Sequence, residues 1–171
     1  YKRQLESFVG PDDTQIFEEI DPDPEAGELD QPNVLIFVET GLPNHDLLLE
    51  SLFGDDDNFG LLEDYAELVF IDPADDGVQL VTDVLAEAAD RSISAIHVLS
   101  HGAVGVVGLG SVDLDLIGLA TYAELITTWD RALTEDSDIL LYGCRIAAGD
   151  PGGQFVETLA TLTGADVIAS I

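Results

Sequence analysis

The chain has 171 residues, 46% of them apolar, which is enough to bury one sizeable core and leads to the expectation of a single folded domain. Five Lys and Arg stand against 35 Asp and Glu; the formal net charge of −30 favours solubility and makes nucleic acid and anionic membrane surfaces poor partners. No apolar run approaches the roughly 20 residues of a membrane span, and a single cysteine cannot form an internal disulfide.

Residues 1–31 are acidic and contain Pro, with DPDPEAGELD from Asp21 to Asp30 offering little to bury, so this stretch reads as a tail or linker. Within it, Phe8, Ile16, Phe17 and Ile20 are available to dock along a groove. The folded domain is expected over residues 32–171. Val34 to Val38 (VLIFV) reads as a strand buried on both faces. Asn44 then caps a helix with Leu48, Leu49, Leu52 and Phe53 on one face, ended by Gly54. After the acidic loop at Asp55, Asp56 and Asp57, Leu68 to Ile71 form a second strand, and Asp75, Asp76 and Gly77 open a helix carrying Val78, Val81, Leu85 and Ala88. Ala95 to Ser100 form a third strand, ending at His101 and Gly102.

From Val104 to Leu114 the chain is Gly-rich and β-branched, which predicts a small hairpin projecting from the sheet edge. Gly105, Gly108 and Gly110 lack the lysine and following helix start of a phosphate-binding loop. Helical spacing returns at Tyr122, Leu125, Ile126, Trp129 and Leu133. Ile139 to Tyr142 form a fourth core strand, followed by Asp150 as N-cap, Pro151 at the first helical position, and Phe155, Leu159 and Leu162 on one face up to Gly164. Ala165 to Ala169 make a fifth strand. Helical connections between successive strands require parallel pairing with right-handed crossovers, so the predicted class is α/β, a three-layer α/β/α sandwich around a mostly parallel sheet of about five strands. A chain ending at Ile171, directly after a strand, leads to the expectation of a longer parent protein or a processed end.

Two of these strands end in reactive groups. Cys144 follows one and His101 another, and the carboxyl ends of strands in open α/β sheets are where ligands bind. A thiol and an imidazole meeting there are the parts of an acyl-transfer dyad, with Cys144 as nucleophile and His101 as base. The backbone amides of Gly102 and Cys144 are the natural donors to an oxyanion. The bland reading of Cys144 is a buried space-filler. His97, mid-strand, reads as a hydrogen-bonded structural histidine, and His45 as a solvated residue in a helix first turn. Asp55, Asp56 and Asp57, with Asp72, Asp75 and Asp76, are weak candidates for holding calcium (Ca2+), without the spacing of an EF-hand loop; solvated acidic loops are the simpler reading.

The 43 residues between His101 and Cys144, each closing a strand, resemble the arrangement of caspase-like cysteine peptidases of clan CD. The run DILLYGCRIAAGDPGGQFVETLATLTGADVIAS is similar to the strand, cysteine, glycine-rich turn, helix and strand of the CHAT-related branch. Asn33 to Ser170 also resembles a domain near the N-terminus of giant bacterial adhesin-like proteins with cadherin-type or calcium-binding repeats, whose hallmarks match Ser100-His101-Gly102 and Tyr142-Gly143-Cys144. The resemblance implies a caspase-like topology and a cysteine endopeptidase, in a secreted or surface protein, that processes its own parent polypeptide or neighbouring surface proteins. It implies no required cofactor and no direct membrane insertion. The alternative is a catalytically silent module serving in adhesin attachment, secretion or assembly. Ser100, Tyr142, Gly143, Arg145 and Asp138 are the expected supporting or pocket residues. Tyr142 stands where metacaspases carry the pocket carboxylate, so a preference for basic residues does not transfer by that route. Arg145 follows the cysteine as an arginine does in caspases, but it does not match the caspase arginines that bind an acidic substrate residue.

Overall fold

The computed structural model describes residues 33–43, 45, 47, 49 and 66–171. The expected tail, the acidic loop Asp55 to Asp57 and most of the helix expected after Asn44 lie outside these residues; within that helix, His45, Leu47 and Leu49 have helical backbone.

Five parallel strands form the main sheet: β1 (Val34–Glu39), β2 (Ala66–Ile71), β3 (Ile93–Leu99), β7 (Leu133–Tyr142) and β8 (Asp166–Ala169), in the order β2-β1-β3-β7-β8. On one face, Leu35, Phe37, Ile96, Val98, Ile139 and Leu141 join the principal core. Covering it are α1 (Gly77–Glu87) through Val78, Val81 and Leu85, and α4 (Gly149–Thr163) through Phe155 and Leu159. On the other face Ile36, Val38 and Leu99 pack with Leu49 in a smaller cluster. The protein is thus an α/β domain, a parallel sheet flanked by helices.

The two faces are covered unequally, and handedness explains it. The β1 to β2 connection runs one way along the sheet, whereas β2 to β3, β3 to β7 and β7 to β8 all run the other way. Right-handed crossovers place opposite directions on opposite faces. Among the described residues, Leu49 of the first connection packs on the second face, while Tyr142 and Ile168, at the far side of it, are exposed.

Between β3 and β7 the structure differs from the sequence expectation. The chain makes a three-stranded antiparallel sheet, β4 (Gly102–Ala103), β5 (Val106–Leu109) and β6 (Val112–Leu114). It does not project: Val107, Leu109 and Leu114 are buried in the principal core, and Gly110 bridges to Asp76. The single helix predicted from Tyr122 to Leu133 is instead α3 (Ala123–Ile126) and a 3-10 turn (Thr127–Arg131), preceded by a further short helix, α2 (Leu116–Thr121). Leu133 already belongs to β7, which bulges against β3 between the pairs Ile93–Leu133 and Ala95–Asp138.

The start of α4 also shifts. Ala148 is the N-cap and Gly149, at φ +63°, turns the chain into the helix; Asp150 lies in the first turn, where the helix dipole favours a carboxylate, and Pro151 follows it. The other end is as predicted, with Gly164 left-handed at φ +73°.

Candidate active site at the carboxyl edge of the sheet

The parallel register pairs Val38 with Leu99 and Leu99 with Tyr142, so β1, β3 and β7 end level with one another. Just past these ends it is Gly102, the residue after His101, that lies against Gly143 and Cys144. The approach of the two chains is very close. A Cβ built at Gly143 would lie 3.2 Å from both Cα and N of Gly102, and one at Gly102 would lie 3.1 Å from the Cys144 nitrogen. Both glycines rest on Ile146, which is fully buried. Any side chain at either position would push the two strand ends apart.

The amides of Gly102 and Cys144 are therefore neighbours, as an oxyanion site requires. Gly102 pairs with Val107, flanked by the Gly108 N–H to His101 carbonyl bond at 2.8 Å. In an antiparallel ladder hydrogen-bonded pairs alternate with non-bonded ones. This sequence makes Gly102–Val107 a non-bonded pair, which turns the Gly102 N–H away from β5.

Cys144 and His101 are both exposed, so the thiol is no buried space-filler. No hydrogen bond joins their side chains among the described residues; such bonds are often long before substrate binds. Beyond the thiol, Arg145 holds a left-handed φ of +57°, a conformation costing a non-glycine residue about 1–2 kcal/mol. The turn it opens is closed by the Ala148 N–H on the Arg145 carbonyl at 3.1 Å. It is pinned further where the Ala147 N–H donates to the Ser170 carbonyl at 2.8 Å and the Ser170 hydroxyl donates to the Gly143 carbonyl.

The remaining predicted residues divide. Ser100 is buried, its hydroxyl donating to the His101 carbonyl at 3.0 Å, so it supports the histidine without facing substrate. Asp138 is not at the edge: it lies four residues before Tyr142 in β7, roughly 13 Å down the strand. There it acts on His97, whose pKa burial lowers and the Asp138 charge raises. Tyr142 turns to the second face, where its ring stacks on His97 with centroids 5.7 Å apart and its hydroxyl lies 3.0 Å from Nδ1. Burial pushes the Tyr142 hydroxyl pKa up.

Asp72, Asp75 and Asp76 are engaged in turn and cap contacts. Asp72 accepts the Ala74 N–H and Asp75 the Asp72 N–H, while Asp76 caps α1 through Gln79 N–H and also accepts the Tyr122 hydroxyl. Among the described residues no group of three His, Cys, Asp or Glu side chains is placed to hold a metal ion.

One site residue escapes the sequence pattern. Glu39, the last residue of β1, is buried, and its Oε2 accepts the His101 N–H at 3.2 Å. The only local signal is an acid closing the apolar run VLIFV, much as His101 and Cys144 come two residues after the ends of their own strands.

A family model described as a domain of unknown function, DUF4347, matches residues 35–171. The chain belongs to this family. Its matched span takes in the whole of the candidate site, from Glu39 to Ser170. No curated protein matches the chain.

Proposed function

We propose that this DUF4347 domain is a caspase-like cysteine endopeptidase. In this reading it belongs to a larger secreted or surface protein of bacteria and cuts its parent polypeptide or neighbouring surface proteins. The observation that carries the proposal is the contact of Gly102 with Gly143 and Cys144. It gives two adjacent amides beside an exposed thiol, with His101 the residue before Gly102.

In the reaction His101 takes the thiol proton and Cys144 Sγ bonds to the substrate carbonyl carbon, whose oxygen becomes an anion held by the Gly102 and Cys144 N–H groups. Collapse breaks the C–N bond, and the imidazolium returns the proton to the leaving amine. Water, deprotonated by His101, then hydrolyses the thioester and frees Cys144. No metal has a step in this scheme.

The test is to incubate the parent chain with and without Cys144→Ala, in calcium and in chelator, and to follow its fragments while an acyloxymethyl-ketone probe reports on Cys144. Cutting and labelling that vanish in the variant are expected. Identical fragments with no labelling favour the second reading, a silent module for adhesin attachment, secretion or assembly, towards which the missing thiol–imidazole hydrogen bond points.

A further inference from the structure

Glu39 is 7% exposed, and carboxylates are rarely buried this far without a purpose, since an ionised group loses hydration there. Its carboxylate has one hydrogen-bond partner among the described residues, the backbone N–H of His101. The place of that bond is informative. The β1–β3 ladder makes its last pair at Val38 and Leu99, and the Glu39 side chain binds the next strand just where backbone pairing stops. It also spans the gap at which the connections leave for opposite faces, the crevice where open α/β sheets bind ligands.

The rest of the His101 backbone is fixed as well. Its carbonyl accepts the Gly108 N–H at 2.8 Å and the Ser100 hydroxyl at 3.0 Å. Position 108 has no side chain to intrude: a Cβ there would lie 3.3 Å from the His101 carbonyl oxygen and 3.5 Å from Glu39 Oε2.

We infer that Glu39 is a positioning residue for His101, holding its amide so that the imidazole starts from a fixed point at the sheet edge beside Cys144. The inference rests on the reading of Cys144 and His101 as a dyad. It extends the line of functional groups across the ends of three neighbouring strands, Glu39 closing β1, His101 following β3 and Cys144 following β7.

The experiment compares Glu39→Met, which fills the space without an acceptor, with Glu39→Gln, whose carbonyl still accepts the N–H. Thermal melting confirms folding; should the Met variant fail to fold, Glu39→Asp, too short to reach the amide, replaces it. Two quantities are read: the hydrogen-exchange rate of the His101 amide, and the iodoacetamide alkylation rate of Cys144, the only cysteine in the chain. In the Met variant exchange should quicken about 10-fold, the loss of one buried hydrogen bond. Alkylation should slow by about 10-fold in a wild-type background and not slow further beside His101→Ala. The Gln variant should stay near wild type in both.

Unchanged exchange in a folded Met variant overturns the inference, and so does an equal loss in the Gln variant. If His101→Ala leaves alkylation unchanged, the dyad reading falls, and the amide exchange alone then decides the role of Glu39.

Discussion

Gly102 and Gly143 lie backbone against backbone over Ile146, so the loop carrying His101 and the loop carrying Cys144 share one contact surface. Neither glycine needs an unusual backbone angle for this. What the contact requires is the absence of a side chain.

That requirement gives a double-mutant prediction. A Cβ at Gly143 would sit 2.7 Å from Ile146 Cδ1, so Gly143→Ala should cost about 1–3 kcal/mol by overpacking. Ile146→Val removes that Cδ1 at its own cost of roughly 0.5–1.5 kcal/mol. The double variant should lose less than the sum, because the two residues touch. Urea unfolding of the four proteins measures the coupling, and strict additivity would contradict the contact.

Cys144→Ala should separate stability from activity. The thiol is exposed, so its removal should move the unfolding free energy by no more than about 0.5 kcal/mol. Calorimetry checks the first half, and the loss of fragments from the parent chain checks the second.

His97 should make stability depend on pH. Burial, only partly opposed by Asp138, lowers its pKa from the ordinary 6.5, so in acid the unfolded chain binds a proton that the folded chain resists. The sign follows: the contribution is complete above pH 6.5 and is lost as pH falls through 6.5 towards the lowered value. Unfolding free energies of wild type and His97→Phe, compared from pH 7.5 to 5, should therefore show the wild type losing ground on acidification. A constant difference across that range would remove His97 as the cause.

Trp129 offers a core test. Its indole N–H donates to the Thr82 hydroxyl at 2.9 Å in a buried setting, and that hydroxyl donates onward to the Val78 carbonyl at 2.7 Å. Thr82→Val keeps the shape and strands the indole donor, which should cost about 1–3 kcal/mol. Trp129→Phe in the same background should recover part of the loss on the polar side. Denaturant curves followed by far-UV circular dichroism measure both.

Local patterning carried much of the fold. VLIFV, AIHVLS and DILLY are mostly apolar on both faces, as strands inside a parallel sheet must be; the first two gave their strands to within two residues, and the third gave the end of β7 but not its start, which lies earlier at Leu133. The same runs located His101 and Cys144, because a reactive group just after a buried strand is carried to the sheet edge whatever surrounds it. Patterning failed at Trp129 and Leu133. Both are buried, but one lies in a 3-10 turn and the other begins β7, and apolar spacing records burial without recording the backbone that achieves it.

Other features arise only when distant segments meet. The small β4–β6 sheet folds into the core because Val107, Leu109 and Leu114 join the same buried cluster as residues of α1 and α4, which no local signal specifies. Asp138 reads as close to Cys144 along the chain, yet a strand rises about 3.3 Å per residue and leaves it far from the edge. Glu39 is the clearest instance. In sequence it is one acid among 35, 62 positions before His101. The sequence by itself determined that a thiol and an imidazole each follow a buried strand; the tertiary structure decided that a buried carboxylate binds the His101 amide, because the register of β1 against β3 is fixed by pairing across the sheet and not by either strand alone.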